Sequence, residues 1–213
     1  PTISPCALTT IANSGSGTLQ VSFDEAGAIV AVDNQNLSGS IGQPIARSAV
    51  VKAAKRQLEL AGISLKAATP RIQAISGANW TEWFVIYERS IGGYPVANWP
   101  MEWGLNGDKA YVDLRPDGTL AALYAIQPDA GKIPSILPTA TLNKRLAKAA
   151  NVSPSKLATY GPTLQWVRAY QDDAPLPGLT LGYCERHEWS EGWAATCVDA
   201  GTGKVIARQG GVD

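Results

Sequence analysis

The chain has 213 residues, with 18 Lys and Arg against 18 Asp and Glu for a formal net charge of 0. That balance argues against a dedicated nucleic-acid binder, which normally carries a basic surplus or stripe, and a hydrophobic content of 45% excludes a disordered chain. No apolar run approaches the roughly 18 residues needed to cross a bilayer, so the composition is that of a soluble globular protein, rich in turns.

Residues 1–18 are rich in Ser, Gly and Thr and read as a flexible leader. The chain opens on Pro1 and has a single Met, Met101, so a signal peptide is expected to have been removed already. A hairpin follows. Val21 and Phe23 alternate with polar neighbours, Asp24-Glu25-Ala26-Gly27 turns, and Ala28, Val30 and Val32 alternate on the return. Asn34 to Pro44 reads as a loop. The spacing of Val50, Ala53, Ala54, Leu58 and Ala61 predicts a helix over Arg47–Ala61, stopped by Gly62, with Lys52, Lys55 and Arg56 on its solvated side.

From Arg71 to Gln127 the period becomes two. Trp83–Tyr87 is apolar on both faces and reads as a central strand. A turn at Asn106-Gly107 would set Trp103 against Ala110 and Met101 against Val112. A second turn, Arg115-Pro116-Asp117-Gly118, would set Val112 against Ala121 and Ala110 against Leu123. Both registers place Ala110, Val112 and Leu114 on one face.

Residues 128–138 carry Pro128, Gly131, Pro134 and Pro138 and read as a linker between two modules, 19–127 and 139–213. The second module begins with a helix over Thr141–Ala150, with Leu142, Leu146, Ala149 and Ala150 inward and Lys144, Arg145 and Lys148 outward. Strands are expected near Leu164–Tyr170, Leu179–His187, Trp193–Val198 and Val205–Arg208. Trp83–Tyr87 resembles Trp166–Tyr170, and Val112-Asp113 with its following turn resembles Val198-Asp199, which suggests an internal duplication. A helix before an antiparallel meander, twice over, is an α+β arrangement with each helix across one sheet face.

Of the three cysteines, Cys184 and Cys197 flank a hairpin whose loop lies within Trp189–Gly192. A loop of two or four residues sets them directly opposite, within disulfide reach, whereas three residues would put them on opposite faces. The disulfide is the expected outcome, and with it an oxidising, extracytoplasmic home. Cys6 is left over, either free or available to pair between chains.

With these elements in place, the chain resembles the propeptide class of thermolysin-like metallopeptidases: a fungalysin/thermolysin propeptide motif followed by PepSY-type domains. The resemblance is carried by the Val21–Val32 hairpin, the helix at Arg47–Ala61 and the strand at Trp83–Arg89. It continues through Gly93-Tyr94-Pro95-Val96, similar to that family's G-x-P-V element, the Ala110–Leu123 hairpin and the terminal Val198–Ala207. It implies two tandem cystatin/PepSY-like modules, secreted or in the cell envelope, that bind a peptidase to inhibit it or assist its folding. The peptidase itself is not expected here, because His187-Glu188-Trp189-Ser190-Glu191 lacks the second histidine of a zincin and sits in a predicted strand.

Catalytic, metal and cofactor readings are weak. Cys184 and His187 are three apart on a strand, so their side chains point to opposite faces and a zinc site with Cys197 is disfavoured. A hydrolase would need His187, the only histidine, and no serine lies in a nucleophile elbow. Asp172-Asp173 reads as a solvated turn, and no glycine loop has phosphate-cradling spacing. Of the seven tryptophans, Trp83 and Trp166 read as packing. Trp99 and Trp103 flank Pro100 next to Gly92-Gly93-Tyr94-Pro95 and read as partly exposed anchors. The expected partner surface is therefore Tyr94, Pro95, Val96, Trp99 and Trp103, with a protein as partner and, by the resemblance, a secreted metallopeptidase. The competing reading is a cell-envelope structural or ligand-sensing domain holding a glycan or small molecule on its tryptophans. The basic helix faces are expected to be solvated surface.

Overall fold

An antiparallel sheet of seven strands and another of four carry most of the secondary structure. A computed structural model describes residues 8–14, 17–24, 26–34, 42–76, 81–97, 107–171, 174–190 and 192–212. The first elements are β1 (Leu8–Ser14), β2 (Gly17–Phe23), β3 (Ile29–Asn34), a 3-10 turn at Arg47–Ala49 and α1 (Val50–Leu60). Then come β4 (Thr69–Ser76), β5 (Thr81–Glu88), β6 (Ser90–Ile91), β7 (Tyr94–Pro95), β8 (Lys109–Leu114) and β9 (Leu120–Ile126). The remainder is α2 (Thr139–Ala150), α3 (Pro154–Thr159), β10 (Thr163–Val167), β11 (Tyr170–Gln171), β12 (Ala174–Pro175), β13 (Thr180–Trp189), β14 (Gly192–Asp199) and β15 (Val205–Val212). Helices and largely antiparallel strands in this proportion make an α+β fold.

The chain divides into two compact units, residues 1–89 with 109–127 and residues 90–108 with 128–213. In the first, the sheet order is β1-β2-β3-β9-β8-β5-β4. Helix α1 lays Val50, Ala54 and Leu58 on Val85, Val112, Leu114 and Leu123, all buried. A Schellman motif ends the helix: Ile63 N–H reaches Leu58 O at 2.9 Å and Gly62 N–H reaches Glu59 O at 3.1 Å. The left-handed φ of +68° at Gly62 is what glycine allows without a Cβ penalty. The other sheet face carries Phe84, Ile86 and Tyr111, which explains why β5 is apolar on both sides.

In the second unit the order β10-β13-β14-β15 is a meander. Leu142, Leu146, Ala147 and Ala149 of α2 and Leu157 of α3 pack on Tyr183 and Val198. Val167, Cys184, Trp193, Ala195, Cys197 and Ala207 form a separate buried cluster. Ser153 caps α3, accepting from Lys156 N–H at 3.2 Å, with Pro154 at the first helical position. In each unit a helical segment precedes four sequential antiparallel strands, α1 before β4, β5, β8 and β9, and α2 and α3 before β10, β13, β14 and β15.

Several local expectations are corrected. Part of the presumed leader is strand β1, whose Leu, Ile and Thr favour extended backbone and which pairs along all of β2. A bulge at Ser22/Phe23 shifts the first hairpin, so Ile29 rather than Val30 joins Val32 at the core. Val112 pairs with Val85 on one side and Leu123 on the other, so both edges of β8 are occupied and no strand at Met101 can lie against it. The β8–β9 register is also two residues further along than the turn arithmetic predicts, Val112 to Leu123 and Ala110 to Ala125, with a bulge at Asp113/Leu114. A shift of two preserves the face, and Ala110, Val112 and Leu114 are all fully buried. Trp83 lies in the second strand of its meander and Trp166 in the first of its own, so that part of the residue repeat does not match in topology. Finally, residues 90–108 group with the second unit although they precede the last strands of the first.

Candidate functional site

The site is built around Trp166. Strands β6 and β7 form a tight hairpin, Ile91 opposite Tyr94, across Gly92 and Gly93 at φ of +59° and +85°. Two consecutive positive φ angles suit a two-residue hairpin turn, and glycine adopts them freely. The fully buried Trp166 donates its indole N–H to the carbonyl of Ile91 at 2.9 Å. Val96 then makes an isolated parallel bridge to Trp166, and Ala97 N–H donates to the Trp166 carbonyl at 2.9 Å. The carbonyl of Ala97 in turn accepts from both Gly107 N–H and Asp108 N–H, each at 2.8 Å. The backbone at Ala97 and the backbone at Gly107 and Asp108 are therefore tied together at one carbonyl.

The neck is tightly packed. A Cβ on Gly107 would stand 2.7 Å from the Trp166 carbonyl oxygen and 2.7 Å from Val96 Cγ1. Asp108 is fully buried, and Arg168 donates from Nε to the Gly107 carbonyl at 3.4 Å. Burial lowers the proton affinity of the Arg168 guanidinium, while the charges of Tyr170 and Asp108 oppose that effect.

The five residues expected to form the partner surface are placed differently. Pro95 is exposed and Tyr94 half-buried. Val96 is 5% exposed and packs with Trp166, Leu179, Leu181 and Ala200. Its branched side chain is an anchor of the neck rather than a contact for a partner. Trp99 and Trp103 lie outside the described residues, as do Trp80 and Asp172-Asp173. Trp83 packs against the core beneath α1.

Cys184 and Cys197 form a disulfide and are register partners with Cα atoms 4.1 Å apart. Trp189 pairs with Gly192, so the connecting loop has two residues and the opposed geometry follows. The His187 side chain is largely covered. Its Nδ1 lies 2.8 Å from Glu185 Oε2, and its ring stacks on Tyr160 at 4.2 Å and 5°. The Glu185 side chain is wholly buried, and its Oε1 has no hydrogen-bond partner among the described residues. The i, i+2 spacing of Glu185 and His187 on one strand was the available signal for this pair. Among the described residues no group of three or more His, Cys, Asp or Glu side chains is placed to hold a metal ion, and no helix is long and apolar enough to cross a membrane.

No protein-family model matches the chain, and no curated protein matches it. Among solved structures it is similar to the Bacillus megaterium YpeB C-terminal domain, with 13% identity and a TM-score of 0.41 over 95% of this chain and 88% of that one.

Proposed function

We propose that this chain is a non-enzymatic binding protein that works outside the cytoplasm and modulates a peptidase, as inhibitor or folding helper, in the manner of the propeptide class it resembles. The observation that carries the reading is the closed neck beside the buried Trp166, where the Ala97 carbonyl accepts from both Gly107 and Asp108 N–H; Trp99 and Trp103 lie in the sequence between Ala97 and Gly107. Fixing the base of a loop lowers the ordering cost of binding, and large aromatics are the usual anchors of an interface. Tyr94 and Pro95 border the neck and extend the surface. Val96 and Asp108 are buried within the neck. The helix-on-meander arrangement supports the cystatin/PepSY-like reading of both modules, and the Cys184–Cys197 disulfide supports an oxidising compartment.

The mechanism is occlusion: the loop and its flanking hairpin cover the cleft of the peptidase over an interface of standard size, about 800 Å² on each partner. The test is an inhibition titration against a thermolysin-like metallopeptidase, with intact mass followed throughout. Saturable inhibition by the uncleaved chain supports the reading. Rapid digestion, or no effect at micromolar concentration, removes the peptidase from it.

A further inference from the structure

Charge is segregated within this neutral chain. Residues 130–171 contain six Lys and Arg and no Asp or Glu. That segment supplies α2 and α3, the helical layer of the second unit. Lys144, Arg145 and Lys148 are exposed along α2, and Lys156 is exposed on α3. The first three line an open cleft of about 660 Å³ together with Ala140 and Thr141. Among the described residues none of the three is paired with a carboxylate. Arg145 Cγ lies 3.1 Å from where a Cβ on Gly203 would stand, so its stem rests on the β14–β15 turn. The acid at that corner, Asp199, is turned inward: its Oδ1 accepts from Gly201 N–H at 3.0 Å, Thr202 N–H at 2.6 Å and the Thr202 hydroxyl at 2.9 Å.

The outer face of α1 offers a contrast. Its Lys52, Lys55 and Arg56 share their groove with Glu59 and Asp117, and Lys55 Nζ is 3.8 Å from Glu59. Two helices with similar numbers of cations thus differ in how far those cations are compensated. Among the described residues the large exposed hydrophobics are Leu60, Ile133, Leu176 and Val205, so neither α2 nor α3 presents one. A helix that docks on a bilayer inserts its apolar face, and here that face is spent on the core.

We propose that the α2–α3 face of the second unit binds an extended phosphate-bearing polymer in solution, with Lys144, Arg145 and Lys148 contacting successive phosphates. Lys144 and Lys148, one turn apart on α2, and Arg145 beside Lys144 line one open cleft and complement a linear polyanion, and the association is electrostatic and salt-dependent.

Inorganic polyphosphate is the probe, titrated into the full chain by calorimetry at 50 and 200 mM salt. Binding is expected to weaken about tenfold across that salt range. K144Q/R145Q/K148Q is expected to lose about tenfold in affinity and K52Q/K55Q/R56Q less than twofold. Single K144Q and K148Q variants, each expected to lose about twofold to threefold, keep the result independent of how the triple variant folds. Absence of binding at 50 mM salt, equal losses in the two triple variants, or binding to vesicles of acidic phospholipid with none to polyphosphate would each overturn the proposal.

Discussion

Trp166 reaches back 75 positions in the chain to hold Ile91, its indole N–H donating to the Ile91 carbonyl at 2.9 Å inside a fully buried cluster. That bond, with the Val96 bridge, draws residues 90–108 onto the second unit. Trp166→Phe keeps most of the ring but leaves the Ile91 carbonyl without its donor, and should cost about 1–3 kcal/mol. Trp166→Ala should cost about 3–5 kcal/mol. Urea denaturation of both variants measures the difference, and equal stability of W166F and wild type would count against the bond as a structural tie.

Gly107 is required by space rather than by a left-handed φ. A Cβ there would meet the Trp166 carbonyl oxygen and Val96 Cγ1, both at 2.7 Å. Gly107→Ala should therefore pry open the neck, destabilising the second unit by about 1–3 kcal/mol. It should also speed proteolytic cleavage between residues 98 and 106. Limited proteolysis read by mass spectrometry shows whether cleavage moves to that loop.

The disulfide spans 13 residues between register partners. Closing a loop of that length restricts the unfolded chain by about 3 kcal/mol. Cys184→Ala with Cys197→Ala should lower stability by about that amount, and reduction of the wild type should do the same. A denaturation midpoint unchanged by reduction would show that the pairing contributes nothing.

Asp113 predicts a pH dependence. Its Oδ1 is buried without a hydrogen-bond partner among the described residues. Burial pushes its carboxyl up to about 7; Glu82 adds repulsion, Arg115 offsets part of it, and Asp33 adds a little more. An unfolded aspartate ionises near 3.9. Between about pH 4 and pH 7 the folded state therefore keeps a proton that the unfolded state has released, and stability falls as pH rises through that window. Asp113→Asn should be more stable than wild type by about 1–3 kcal/mol at pH 8 and nearly equal to it at pH 4. Urea midpoints at the two pH values check the sign.

Local patterns in the sequence carried much of the fold. Helical spacing located α1 and α2, and the Trp189–Gly192 turn located the opposed cysteines, because each depends on neighbours within a few residues. Helix α3 was missed although Ser153-Pro154 is a helix-start signal; its six residues are too few to show a period. The bulges at Ser22/Phe23 and Asp113/Leu114 each insert one unpaired residue and shift the register, and residue counting across a turn cannot detect them. The candidate site was legible only as an aromatic stretch. Its neck depends on Trp166, whose partner Ile91 lies across most of two modules, and no local pattern identifies Val96 as core rather than surface. The Glu185–His187 pair has a local signal in its i, i+2 spacing, but the Tyr160 that stacks on it comes from the end of α3 and no local pattern shows that contact.

The most direct measurement is the affinity of the purified chain for a secreted thermolysin-like metallopeptidase, compared between wild type and Trp99→Ala with Trp103→Ala. Two anchoring aromatics should together account for about 2–4 kcal/mol of binding, a loss of at least about thirtyfold, with urea stability changed far less. Equal affinity of the two proteins, or no measurable affinity of the wild type, would contradict the loop on Ala97 and Gly107 as the peptidase-binding element.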